Sequence, residues 1–156
     1  MASSTSRVHH GGQVAEPTLL YVMKQVELAV RSGLDDIFRP IGMTALQYTA
    51  LTVLERHPNL SSAQLARNSF VTAQSMADMI TALQDRGLIE RHRDTHDRRR
   101  LVLALTADGR KLLRRYRGKV SALEERMLSD LTGKQAADLR RSMVICRAAL
   151  AEHPAH

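Results

Sequence analysis

Tryptophan is absent from this chain, and only two phenylalanines and three tyrosines occur among its 156 residues. A core must therefore be aliphatic, drawn from Leu, Val, Ile, Ala and seven Met. Cysteine occurs once, at Cys146, which excludes an intramolecular disulfide and fits a reducing cytoplasm. No apolar run approaches the roughly 20 residues that a transmembrane helix needs. The opening MASSTSRVHHGGQVAEP lacks the apolar centre of a signal peptide, so a cytoplasmic location is expected. There is no P-loop, no glycine-rich nucleotide fingerprint, no HExxH and no nucleophile with a partnered base. An enzyme is therefore not expected, nor a cofactor or metal. Acidic residues are the scarcer charge, 16 against 23 Lys and Arg, for a net +7. That balance favours a polyanionic partner, either nucleic acid or an acidic membrane surface.

What the chain does have is clear helix punctuation. The length suggests one domain, or one domain with an appended assembly element. Residues 1–17, rich in Ser, Gly and His, carry no periodicity and read as a disordered N-terminal arm. His9 and His10 within it lack the three or four ligands at fixed spacing that a tight metal site needs. From Thr18 to Phe38 the apolar positions Leu19, Leu20, Met23, Val26, Val30, Leu34, Ile37 and Phe38 keep helical spacing up to Pro40. Thr44 and Gln47 form a capping box for a helix ending at His57-Pro58, and Ser61 and Gln64 form another for a short helix to about Asn68. Thr72 caps the next helix, whose inward stripe is Met76, Ile80 and Leu83 and whose stop is Gly87. Leu88 and Ile89 open a strand, and Leu101, Leu103 and Leu105 alternate along its partner. Thr106 caps a long helix to about Ser129, and Thr132 with Gln135 opens a last one reaching His153-Pro154.

The order is therefore four helices, two strands and two helices. Short turns between the helices at 44, 61 and 72, followed by a basic hairpin, predict a winged helix-turn-helix spanning residues 44–105. The fold class is mainly α with a small β-hairpin. A hairpin of this size is marginal alone and must pack on the preceding helices. The helices at 18–40 and 106–153 keep apolar stripes that the module does not need. A second copy of the chain is the simplest cover, so these segments read as a helical dimerisation region.

Together, four sequence pieces make the chain resemble the MarR family of bacterial transcription regulators. They are Thr44 to Tyr48; Ser61 to Leu65; Val71 to Ser75 with Arg86 to Arg91; and Asp97 to Arg99 followed by Leu105-Thr106-x-x-Gly109. The resemblance covers about residues 18–152. It implies a homodimer binding pseudo-palindromic double-stranded DNA, usually as a repressor, released by small phenolic or other lipophilic ligands or, in some members, by thiol oxidation. It also implies that Asp97 and Arg99 match an Asp-x-Arg signature, the Asp steadying the loop through a salt bridge and wing Arg reaching the minor groove. Family effector pockets lie between the dimerisation region and the winged module, which here implicates Phe38, Met43 and Tyr48, all of which can equally be core. No Trp is present for the urate-responsive branch, and no Cys near the first helix for the peroxide-sensing one.

The residues themselves suggest how DNA would be read. Thr72, Ala73, Gln74 and Ser75 lie at the N-terminal end of the third module helix. Gln74 suits adenine, Ser75 either base edge and Ala73 a thymine methyl. Asp78, on the same face, suits a cytosine amine or a nearby Arg. Residues 91–100 hold five arginines against two aspartates. Arg98 and Arg99 are candidates for a narrow minor groove, with Arg93 and Arg100 on phosphates or paired with the acids. Arg86 and Arg91, near the base of the module, can fold into structural ion pairs instead. Ser61 reads as a cap, and Ser62 as the contact at a phosphate-binding helix N-terminus. A solvated surface is the competing reading for both stretches. Arg110 to Lys119 extends the basic footprint or is a solvated face, and it supports the alternative of a basic helical protein on an anionic membrane, although no membrane partner is expected. A winged-helix protein-interaction module is the other alternative. Cys146 reads as a buried structural thiol.

Overall fold

Each helix expected from its cap is present. The structure, a computed structural model, describes residues 14–151, so most of the N-terminal arm and the segment at His153-Pro154 lie outside the described residues. The elements run α1 (Leu19–Phe38), a 3-10 turn (Arg39–Ile41), α2 (Ala45–Arg56), α3 (Ser62–Asn68), α4 (Ala73–Asp85), β1 (Ile89–Arg93), β2 (Leu101–Leu105), α5 (Ala107–Leu128) and α6 (Gly133–Ala151). Among the described residues no helix is long and apolar enough to cross a membrane.

The capping boxes close as their sequence demands. Thr44 Oγ1 accepts from the Gln47 amide at 3.1 Å while Gln47 Oε1 accepts from the Thr44 amide at 3.1 Å. Ser61 with Gln64 and Thr132 with Gln135 repeat the exchange. Each pair satisfies two amides that the first helical turn leaves without partners. One further cap was not legible locally: the Asp35 carboxylate on α1 accepts from the Ala45 amide at 2.6 Å and so ties α1 to the start of α2.

β1 and β2 pair antiparallel from Ile89–Leu105 to Arg93–Leu101. Leu103 also bridges to Leu60, donating to its carbonyl at 2.8 Å and accepting from the Asn59 amide at 3.1 Å. β2 is thus flanked on both edges, and α2 and α5 both pack against it. This corrects the simple alternation expected for the strand. Val102 is buried along with Leu103 and Leu105, whereas Leu101 at the wing end is exposed. The core joins Phe38, Leu51, Leu54, Leu65, Met76, Ile80, Leu83, Leu103 and Leu113.

Two helix C-termini in the module share one closing motif and differ in residue. At the end of α4, Gly87 (φ 70°) donates to Gln84 O and Leu88 to Leu83 O, with glycine in the left-handed position. At the end of α3, Phe70 (φ 59°) donates to Arg67 O and Val71 to Ala66 O, with phenylalanine in that position. A left-handed non-glycine residue costs about 1–2 kcal/mol. The Phe70 ring is 87% exposed and recovers little of that by burial.

Gly109 is fixed by a close approach. A Cβ there would lie 2.2 Å from the Leu88 carbonyl oxygen, where α5 leaves the hairpin. Gly109→Ala is expected to lower stability by roughly 1–3 kcal/mol through forced displacement of α5. Phe70→Gly is expected to raise it by about 1 kcal/mol, since glycine accepts the turn without strain. Thermal denaturation of the two variants checks both signs.

Candidate nucleic-acid interface

The outer face of α4 is built by its cap and its inward stripe. Thr72 Oγ1 accepts from the Ser75 amide at 3.1 Å, and Met76, Ile80 and Leu83 are buried. Thr72, Ala73, Gln74, Ser75 and Asp78 are consequently all exposed on the first turns. The Gln74 amide has no partner among the described residues. The Ser75 hydroxyl is less free than the sequence suggested, because Thr72 Oγ1 donates to it at 3.0 Å. Asp78 makes no ion pair within the described chain, so the pairing with a nearby Arg that its sequence allowed is not formed.

The far end of α4 is anchored rather than ion-paired. Arg86 donates to Ile41 O at 2.6 Å and to Gly42 O at 3.1 Å, fixing α4 to the α1–α2 connection. In place of the ion pair its sequence allowed, Arg86 caps carbonyls left open where the 3-10 turn ends.

The wing tip uses its acids on its own backbone. Asp94 Oδ1 accepts from the His96 amide and Asp97 Oδ1 from the Arg99 amide, both at 3.0 Å. The ladder is closed by Asp94 N–H to Arg100 O and Arg100 N–H to Asp97 O, both at 2.9 Å. Asp97 thus steadies the loop through an amide and not through the salt bridge that the resemblance implied. Arg93, though exposed, donates to Arg98 O at 2.8 Å across the tip. Arg100 is half-buried; it lies 3.9 Å from Asp94 and donates to Gln64 Oε1, the oxygen that also receives the Ser61 amide. It therefore pins the wing to the start of α3. Arg98 and Arg99 are exposed, with no side-chain partner among the described residues. Ser61 is the α3 cap, and Ser62 sits half-buried on its first turn.

Phe38, Met43 and Tyr48 gather in the interior. Phe38 stacks on Tyr48 with centroids 4.6 Å apart and meets Tyr116 at 5.0 Å. Burial, with the nearby Glu55 charge second, pushes the Tyr48 hydroxyl above its ordinary value. These three residues line neither of two cavities flanking α1. Among the described residues no group of His, Cys, Asp and Glu could hold a metal ion.

A helix with an exposed polar first turn, a second helix behind it and a basic wing alongside make up this face. The MarR family model matches residues 41–100. The HTH-type transcriptional repressor Rv2887 of Mycobacterium tuberculosis is 33% identical over 132 residues, spanning 85% of this chain and 95% of that protein. The chain belongs to the MarR family. The structure of Rv2887 in complex with DNA superposes with a TM-score of 0.70 at 31% identity, over 84% of this chain and 98% of that one. Its complex with p-aminosalicylic acid gives 0.70 at 32% identity, over 83% and 98%. The fold is the winged helix of this family, and its relatives are transcriptional regulators.

If Arg100 pins the wing, Arg100→Ala should loosen it. Amide hydrogen exchange at residues 94–100 is expected to speed up roughly tenfold, as an opening made easier by about 1.4 kcal/mol would give, with the α4 amides unchanged. Equal acceleration in both segments would show that the wing and helix open as one unit.

Proposed function

We propose that the chain is a dimeric, sequence-specific DNA-binding regulator, a repressor that binds a pseudo-palindromic operator and is released by a small phenolic ligand. The observation that carries this reading is the pairing of surfaces. An exposed Gln74–Asp78 stripe stands beside a wing whose aspartates bond to backbone and leave Arg98 and Arg99 unneutralised. Gln74 and Ser75 are the base-edge readers, with Thr72 and Ala73 flanking them. Arg98 and Arg99 enter the minor groove, and Ser62 meets a phosphate at the α3 N-terminus. Arg93, Asp97 and Arg100 shape the wing. Asp78 takes a cytosine amine and sets this operator apart from those read through a basic residue. The M. tuberculosis relative supports the reading through its name and through its complexes with DNA and p-aminosalicylic acid.

Dimerisation is assigned to residues 18–40 and 106–153, and DNA binding to 44–105. On α1, Leu19 and Leu20 are 71% and 79% exposed, and α6 buries none of its residues against the rest of the chain. Cys146 lies on that helix and is exposed, contrary to the buried thiol expected from its spacing. A groove of about 210 Å³ between α1 and α5, lined by Val26, Ala29, Val30, Leu123, Arg126 and Met127, adds to the uncovered apolar surface. A second copy covers these faces and sets two α4 helices for two half-sites. A bacterial regulator of this kind works in the cytoplasm.

Operators selected from a random duplex pool provide the test. Arg98→Ala with Arg99→Ala is expected to weaken operator binding by roughly tenfold or more. The salt dependence should flatten by about 0.9 in log–log slope for each phosphate no longer neutralised. Gln74→Ala is expected to alter preference at one base position by about 1–3 kcal/mol while non-specific binding stays the same. Wild-type behaviour from both variants, or a stable monomer by sedimentation at micromolar concentration, overturns the assignment.

A further inference from the structure

The stretch from Arg110 to Lys119 in α5 lies apart from the α4 face and the wing tip. No Asp or Glu occurs between residues 109 and 123. Leu113 and Tyr116 turn inward and are buried, and Leu112 and Val120 pack half-buried beside them, so the rest of this helix surface is cationic. Two of its six cations are committed to the fold: Arg110 donates to Leu105 O at 3.2 Å, and Arg117 pairs with Glu55 at 3.1 Å. Lys111, Arg114, Arg115 and Lys119 are exposed and have no acidic partner among the described residues. Arg115 and Lys119 lie 6.0 and 5.5 Å from the centre of the Tyr116 ring, which leaves their charge unneutralised. Lys111 faces Arg114 and Arg115 one turn on, and Arg115 faces Lys119, at spacings where like charges destabilise a helix. In the middle of this outer face stands Gly118, a residue that a helix interior disfavours, and no packing neighbour lies within 4 Å of a Cβ placed there.

Its place in the fold separates this face from the operator-facing residues. Thr106 Oγ1 donates to Gly87 O at 2.6 Å, so α5 starts at the base of the hairpin beside the C-terminal end of α4. The hairpin carries its tip about 15 Å from that point, and the 13 residues of α4 carry Thr72 about 20 Å from it. From its start α5 leads to α1, where a Cβ on Gly33 would lie 2.8 Å from Leu123 Cδ1. A duplex lying against Thr72 to Ser75 and the wing tip therefore leaves this face open. A second copy leaves it open too. Met127, the exposed large apolar residue of α5 among those described, lies beyond Lys119, and two faces of like charge repel each other.

We propose that the outer face of α5 is a second surface for double-stranded DNA, bound through its phosphates irrespective of sequence, with which an operator-bound dimer holds another DNA segment. Arg114 and Arg115 take phosphate oxygens in paired hydrogen bonds, and Lys111 and Lys119 add point charges. Gly118 lets the sugar-phosphate backbone come close to the helix. An anionic bilayer would need apolar side chains on the same face, and a protein partner would need an aromatic or aliphatic anchor. Residues 109–119 expose no large apolar side chain. Bound phosphates also remove the repulsion that the four cations impose on one another in the free protein. None of the operator contacts belongs to this surface, so duplex binding to it can be measured without them.

Capture of a second duplex gives the test. Full-length protein is held on immobilised operator, with operator in excess, at about 50 mM salt. A labelled random-sequence duplex is expected to be captured at micromolar concentration, with a log–log salt slope of about −3 to −4, near 0.9 for each of four phosphates. Lys111→Ala with Arg114→Ala and Arg115→Ala is expected to cut capture at least roughly tenfold and to leave operator affinity within about twofold. Gly118→Glu sets a carboxylate among the cations on a better helix former. It is expected to raise the melting temperature and to cut capture roughly fivefold, whereas a purely structural role for this face would leave capture unchanged. No capture at micromolar duplex, unchanged capture in both variants, or equal loss of operator binding and capture overturns the proposal. Tighter binding to phosphatidylserine vesicles than to duplex at equal phosphate concentration assigns the face to a membrane and overturns it as well. Random-duplex binding by the Arg98→Ala, Arg99→Ala variant, and its loss when Gly118→Glu is added, is expected even if no operator can be selected. Failure of the operator reading and failure of this surface are thereby told apart.

Discussion

β2 is the element against which the rest of the module is placed. Leu103 is 1% exposed and spends both its backbone groups on Asn59 and Leu60 before α3, while the neighbouring residues of its strand pair with β1 on the other edge. A two-stranded hairpin alone is marginal in water. Here the second edge ties it to the chain that opens the helix-turn-helix, and α2 and α5 cover it. The wing therefore cannot shift relative to α3 without breaking backbone pairs on a buried strand. Arg100 extends the same constraint outward. Its guanidinium shares Gln64 Oε1 with the α3 capping box, so one side-chain oxygen serves helix initiation and wing placement together.

Features written in the sequence as local chemistry were legible there. Caps, boxes and the Gly87 stop depend on residues three or four apart, and each forms where its residues stand. What was not legible is long-range. Asp35 caps a helix ten residues on, and Arg86 closes carbonyls more than forty residues back. Nothing in their immediate neighbours marks either one. Gly109 belongs to a motif whose reason is a contact with Leu88, and that contact exists only once the hairpin has folded back. Val102 was missed because strand alternation assumes one dry face, and here the adjacent Val102 and Leu103, which face opposite ways, are both buried. Cys146 followed the apolar periodicity of α6, yet periodicity shows only that a face wants burial. In the single chain that face has nothing against it.

Charge on the reading surface is arranged by competition for hydrogen bonds. A run with five arginines and two aspartates invites salt bridges, but both aspartates accept backbone amides at 3.0 Å and fold the tip, and of the two Asp94 alone also pairs with an arginine, Arg100 at 3.9 Å. The arginines then divide by geometry. Arg93 and Arg100 are drawn back to Arg98 O and Gln64, and Arg98 and Arg99 project. Composition gives the net charge of such a loop, while the hydrogen bonds decide which cations remain for a partner. On α4 the same consideration sharpens Asp78. Without an ion pair among the described residues, its carboxylate faces solvent uncompensated and would repel a DNA phosphate, so only a donor on a base edge makes it favourable.

Gly87 and Phe70 set the two ends of α4 in contrast. Both residues close a helix by the same pair of backbone bonds, and α4 lies between them. At its C-terminal end the turn is unstrained and Arg86 fastens it to the chain before α2. At its N-terminal end the turn carries a left-handed phenylalanine with an exposed ring and, next to it, a buried hydroxyl without a partner. Both costs, about 1–2 kcal/mol for the backbone and about 1–3 kcal/mol for the hydroxyl, are borne by the resting conformation. Arg86 anchors one end of α4 and a strained turn leads into the other, so the helix is held unequally along its length, with Thr72 to Ser75 at the less firmly held end. Those are the residues proposed to read DNA, and they adjoin the strained turn directly rather than across the core.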